Sequence, residues 1–133
     1  MEIEFDFRKE ESKLFGPVLR PVARIILING EESFAEHLYV DSGPDITLIP
    51  KSVGDAVGFV VEKTDQITEI KGIGERGVPI IIKKLKIKIG EKIFDARVAW
   101  ALIEEVPLLL GREDVFNLFY ISFLKNRKTI FKE

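Results

Sequence analysis

The chain predicts a mostly β protein, folded as a closed barrel or a sandwich. Three observations carry that expectation. Short apolar runs recur with turn signals every ten or so residues. Several alternate with period two, most plainly Leu85, Ile87 and Ile89 against Lys84, Lys86 and Lys88. There is also an internal echo. Leu27-Ile28-Asn29-Gly30-Glu31-Glu32-Ser33-Phe34 resembles Ile87-Lys88-Ile89-Gly90-Glu91-Lys92-Ile93-Phe94, and both read as hairpins with Gly-Glu at the turn.

The elements follow in order. Ile3 to Phe7 alternates acidic and apolar residues and reads as a strand with one wet face. Lys9 to Gly16 reads as a polar linker. Val22 to Ile28 is a strand stopped by Asn29-Gly30, and Ser33 to Val40 returns. Ile46 to Ile49 is a short buried strand ended by Pro50, and Ser52 to Val57 forms a turn of helix. Phe59 to Ile70 reads as extended. Val78 to Ile89 and Ile93 to Ala101 form the second long hairpin. The apolar run Leu108-Leu109-Leu110 precedes Gly111, and Asp114 to Leu118 reads as one short C-terminal helix with Glu113 and Asp114 near its N-terminus. Tyr120 to Leu124 and Thr129 to Phe131 close the chain as a hairpin.

At 133 residues the chain reads as one domain, 1–133, able to bury roughly two thirds of its unfolded surface. A net charge of −2 argues against a general nucleic-acid footprint. With no cysteine, disulfides, thiolate metal sites and a Cys nucleophile are excluded. The N-terminus has neither a basic nor an apolar signal region, and no apolar run approaches the ~20 residues that span a membrane. The expectation is a soluble, cytoplasmic protein with no membrane partner. Abundant Ile, Lys and Glu hint at a thermophilic source.

The most telling segment is Asp41-Ser42-Gly43, a carboxylate in a glycine turn between the apolar stretches Leu38-Tyr39-Val40 and Ile46-Thr47-Leu48-Ile49. All three residues are also good formers of an ordinary β-turn. Gly72-Ile73-Gly74-Glu75-Arg76-Gly77 matches a dinucleotide fingerprint literally, but that motif must open a helix and the strand-like Val78 to Ile82 follows. A hairpin tip fits better. The single histidine, His37, has no carboxylate-histidine pattern around it, which argues against Ser-His catalysis and most zinc sites.

Four segments in order resemble the retropepsin-like family of homodimeric aspartic proteases, over about residues 20–116. Arg20-Pro21 resembles the family's N-terminal Arg-Pro. Asp41-Ser42-Gly43-Pro44-Asp45 resembles its catalytic loop, with Pro44 where Ala or Ser is usual. Gly72-Ile73-Gly74 resembles its flap tip, and Leu109-Leu110-Gly111-Arg112 its hydrophobic segment before the C-terminal helix.

The resemblance implies a closed barrel and a peptidase without metal or cofactor. Two Asp41 carboxylates, one per chain, would share a proton and activate a water, giving a bell-shaped, acid-shifted pH profile. Ser42 would link the two loops, and Gly43 would let the backbone approach the carboxylates. Gly72, Ile73 and Gly74 would close over the substrate. Asp45 would also border it, and Leu48, Ile73, Pro107 and Leu109 would line apolar pockets, unless Leu48 and Leu109 are plain core. Asp45 and Arg112 would form a bracing ion pair joined by Arg20 of the partner chain, unless they are independently solvated. The N-terminal arm and the closing hairpin would form the homodimer. Two alternatives stand beside this reading. One is a catalytically weak or inactive dimer that binds extended peptides, motivated by Pro44. The other is a structural barrel in which Asp41 is only a turn residue.

Overall fold

Alternating apolar residues and glycine turns put most of this chain into strands. The computed structural model describes residues 1–72 and 76–133, so the expected flap residues Ile73 and Gly74 fall outside the described residues. The N-terminal strands are β1 (Glu2–Asp6), β2 (Arg8–Ser12) and β3 (Gly16–Arg20). The first long hairpin is β4 (Val22–Asn29) and β5 (Glu32–Val40), followed by β6 (Thr47–Ile49) and α1 (Lys51–Ala56). Then come β7 (Thr68–Ile70), the second long hairpin β8 (Val78–Ile89) and β9 (Lys92–Ala101), and β10 (Leu109–Leu110). A 3-10 turn (Phe116–Leu118) leads to β11 (Tyr120–Leu124) and β12 (Lys128–Lys132).

The main sheet runs β4-β5-β10-β6-β9-β8, and β4 also pairs with β8 through Leu27 opposite Ile87. That pairing closes a six-stranded barrel, deciding between barrel and sandwich, while β7 lies outside on β8. Closure removes the exposed edges that would otherwise template aggregation.

The duplicated hairpins are real and equivalent. Each turns through two residues, Gly30-Glu31 and Gly90-Glu91, with φ of 61° and 60° at the glycines. Positive φ at the first central residue is what glycine supplies in such a turn. β5 then pairs in parallel with β10, β9 pairs in parallel with β6, and β6 meets β10 antiparallel at Leu48 and Leu109. The two halves therefore exchange their third strands about a local two-fold.

Alternation divides the buried residues. Ile25, Leu27, Leu38, Ile49, Ile81, Ile87, Val98, Trp100 and Leu110 point into the barrel. Each such side chain contributes roughly 1.5–3 kcal/mol. Trp100 donates from its indole to the Lys51 carbonyl at 3.1 Å and packs beside Phe59 and over Gly54. Their neighbours Leu48, Ile80, Ala99 and Ala101 face the other way and form a second buried cluster. The strands β1, β12 and β11 form a separate antiparallel sheet whose Phe131 is fully buried against Phe5 and Phe119.

Three expectations need correction. Residues 9–16 are not a linker: β2 and β3 pair from Arg8 opposite Arg20 to Ser12 opposite Gly16. Residues 59–70 are not extended throughout, and only Thr68–Ile70 is strand. The C-terminal helix shrinks to the three-residue 3-10 turn. Asp114 is the reason: it sits at φ 69° and accepts from the backbone N–H of Arg97 at 2.9 Å, and from that guanidinium at 2.8 and 3.0 Å. A residue held left-handed across to β9 cannot begin a helix.

Candidate active site

The site is built where the two halves meet. β5 ends at Val40 and releases the loop 41–46. Asp41, Ser42 and Gly43 are exposed there. The Gly43 N–H donates to Asp41 Oδ1 at 2.9 Å, so the carboxylate is oriented by its own loop. A Cβ at Gly43 would lie 3.2 Å from that oxygen, tighter than ordinary contact, which is why glycine suits this turn. Pro44 withdraws no donor from this arrangement, because the bond to Asp41 comes from residue 43.

The loop is fastened to the end of β10. Arg112 and Glu113 donate their backbone N–H groups to the carbonyls of Pro44 and Asp45, at 3.2 and 2.7 Å. The Arg112 guanidinium meets Asp45 Oδ1 at 2.5 Å. That pair is more than half exposed on both sides, so its own contribution is about 1 kcal/mol or less. The buried fastening is stronger in kind. The hydroxyl of fully buried Thr47 accepts the N–H of Gly111 at 3.0 Å. A Cβ on Gly111 would fall 2.3 Å from the carbonyl carbon of Ile46, so only glycine allows this backbone crossing.

Beside the loop lies an apolar floor. Leu48 is 6% exposed and packs with Ile80, Ala99 and Ala101, ringed by partly buried Ile46, Ile70, Val78, Val106 and Leu109. This cluster is on the opposite sheet face from the barrel core, so the sheet here is apolar on both sides. Leu48 is thus a buried floor residue, Leu109 is half-buried, and Pro107 and Gly72 are exposed.

An open pocket of about 470 Å³ touches Asp41 itself, lined by Arg20, Pro21, Tyr39, Val40, Asp41 and Leu109. A larger cleft of about 620 Å³ lies elsewhere, between Asn29, Lys84 and Arg97, away from the Asp41 loop. Arg20 pairs within its own chain, Nε to Glu10 Oε1 at 3.3 Å. Tyr39 donates its hydroxyl to the same carboxylate at 2.6 Å. Burial and that bond push the Tyr39 phenol up from its ordinary pKa, and the Tyr39 bond leads those that lower Glu10. Glu10 and Tyr39 were not singled out from sequence. Glu10 stood in a segment read as a linker, and a tyrosine on an apolar strand signals only packing.

Among the described residues no group of three or more His, Asp or Glu side chains is gathered as a metal ligand set. Among the described residues no helix is long and apolar enough to cross a membrane.

The closed six-stranded barrel with two exchanged hairpins is similar in fold to the retropepsin-like aspartic proteases. Two solved structures bear that out. The EIAV protease in complex with the inhibitor HBY-793 superposes with a TM-score of 0.58 at 20% identity, covering 74% of this chain and 88% of that one. A retropepsin-like aspartic protease from Rickettsia conorii superposes with a TM-score of 0.63 at 16% identity, covering 98% of this chain and 91% of that one. No protein-family model matches the chain, and no curated protein sequence matches it.

Proposed function

We propose that the protein is an aspartic endopeptidase whose active site is completed by a second copy of the same chain. One observation carries this reading. Asp41 stands exposed in a glycine turn that is fastened by Arg112, Glu113 and Thr47 to the opposite half of the barrel, beside an apolar floor. A carboxylate needed only for a turn has no call for that bracing. The fold shared with aspartic proteases supports the same class.

Two Asp41 side chains brought together across a dimer axis share one proton. The ionised carboxylate takes a proton from a bound water, which attacks the scissile carbonyl. The protonated one donates to the carbonyl oxygen, and the tetrahedral carbon then collapses with proton transfer to the leaving amine. Ser42 links the two loops. Leu48 and Leu109 favour apolar side chains flanking the cut. Arg112 and Asp45 brace the loop, while Arg20 is held by Glu10 of its own chain.

The terminal strands suit dimerisation. β12 is paired on both sides, and the outer edges of β1 and β11 have no second strand among the described residues. Tyr120, Phe123 and Leu124 on β11 are 78%, 51% and 50% exposed. Edges and apolar side chains of this kind are covered by pairing. Removing β11 and β12 outright would strip buried Phe131 from the core, so the dimer is better tested by substituting Tyr120 and Phe123.

The deciding test is digestion of an unfolded protein from pH 3 to 7 by wild type and Asp41→Asn. The expected result is acid-shifted cleavage that falls by about 10³-fold or more in the variant while the fold persists. Residual wild-type-like cleavage in Asp41→Asn would sink the mechanism. Tight peptide binding by a folded dimer with no products would establish the non-cleaving alternative.

A further inference from the structure

The N-terminal hairpin lies outside the barrel, yet its polar face touches the Asp41 pocket. Arg8 and Arg20 stand directly opposite one another in the β2–β3 ladder. Like charges in that position repel. Glu10, two residues along β2 and on the same face as Arg8, resolves the repulsion. Its carboxylate accepts from Arg8 Nε at 2.9 Å and from the Tyr39 hydroxyl at 2.6 Å, and pairs with Arg20 Nε at 3.3 Å. The Arg8 guanidinium stacks over the Tyr39 ring, 5.2 Å from its centroid. Tyr39 in turn pairs with Leu109, which pairs with Leu48 on the apolar floor. Arg20, Tyr39 and Leu109 are all walls of the pocket that contains Asp41.

We propose that Glu10 is a specificity-determining residue of this pocket. An internal carboxylate occupies the Arg20 guanidinium in the wall of the Asp41 pocket, so an incoming acidic side chain must compete with Glu10 for that cation and otherwise meets Tyr39, Pro21, Val40 and Leu109. This rests on the peptidase reading above. Without Glu10, the Arg20 guanidinium in the pocket wall loses its carboxylate, and a peptide carboxylate takes the vacated place. Glu10 is a selector acting through Arg20 and Tyr39 and takes no part in bond cleavage.

The test compares full-length wild type, Glu10→Gln and the double variant Glu10→Gln/Arg20→Gln on one library of unfolded-protein peptides, with cut sites read by mass spectrometry. Glu10→Gln should raise the share of cuts with Asp or Glu beside the scissile bond about threefold to fivefold, the scale of one exposed ion pair. Adding Arg20→Gln should cancel that gain, which mere loosening of the hairpin would not do. A second readout needs no activity. The chain has two tyrosines, Tyr39 and exposed Tyr120. In Glu10→Gln the Tyr39 phenol should titrate at lower pH by ultraviolet absorbance, with Tyr120 as the internal reference. Identical cut preferences in wild type and Glu10→Gln would overturn the proposal, as would an unmoved Tyr39 titration. A library left uncut by the wild type at every pH would instead overturn the peptidase reading, and this proposal with it.

Discussion

The two halves of the barrel share one topology and differ in what hangs from it. In the first half, β4 and β5 lead into a polar, exposed loop, 41–46, that carries Asp41. In the second, β8 and β9 lead into the loop 102–108, Leu-Ile-Glu-Glu-Val-Pro-Leu, which has no Asp-Ser-Gly. Its Glu104 is engaged structurally: it accepts the backbone N–H of Ser52 at 2.8 Å and the Ser52 hydroxyl, capping the first turn of α1 from the other half. Those two bonds hold the Glu104 carboxyl below its usual range. One half thus supplies a carboxylate and the other an apolar wall through Val106 and Leu109. The backbone is duplicated and the Asp-Ser-Gly loop is not, which is why the proposed function calls on a second copy of the chain.

The junction between the halves is where substitution should hurt most. Gly111→Ala pushes a Cβ into the backbone of Ile46 and Thr47, which cannot yield as a flexible side chain can. We expect a loss of about 3 kcal/mol in denaturant unfolding. A loss below about 1 kcal/mol would mean the halves are not locked at this crossing.

The paired turns give a matched test. Gly30 and Gly90 have nearly equal φ, but a Cβ at Gly30 meets nothing within 4 Å, whereas one at Gly90 meets Met1 Sδ at 3.0 Å and Ile3 at 3.1 Å. Gly30→Ala should cost about 1–2 kcal/mol from backbone strain alone. Gly90→Ala should cost about 1 kcal/mol more, because β1 must also shift. Equal losses would show that β1 is loosely seated.

The smallest effect concerns the Arg97–Asp114 clamp on β9. Bonds from Arg97 lower the Asp114 carboxyl below its usual 3.8. A depressed carboxyl adds stability that is fully present above its ordinary value and is lost as pH falls through the folded value. Asp114→Asn should therefore cost about 1 kcal/mol near neutral pH, allowing for a half-exposed Arg97. The gap to wild type should close in melts taken progressively below pH 3.8. A gap that persists in acid would mean that the hydrogen bonds accepted from Arg97, and not the charge, are what Asp114 supplies.

Legibility followed the kind of signal each segment carries. Both long hairpins, the buried strand before Pro50 and the closing hairpin were readable because apolar alternation and glycine turns are local. The β2–β3 hairpin was not readable from its side chains. Arg8, Glu10 and Ser12 face inward while Lys9 and Glu11 face out, so both faces are polar and hydrophobic periodicity is blind to them. The turn at Ser12, whose hydroxyl accepts from the N–H groups of Leu14 and Phe15 before left-handed Gly16, was the one available hint. Of the candidate site, the Asp45–Arg112 pair is legible in the sequence and forms in the structure. Thr47, Glu10 and Tyr39 were missed because each acts through a partner far along the chain.

By itself, the sequence determined the strand periods, the turns that need glycine and the single carboxylate loop, since these depend on residues within a few positions of each other. Only the tertiary structure decided barrel over sandwich, through the β4–β8 pairing. It alone set Gly111 against Ile46 and brought the N-terminal arm to the Asp41 pocket. Each of those is a contact between backbone or charged groups separated by tens of residues, where steric fit and Coulomb pairing depend on position in space and leave no period in the chain.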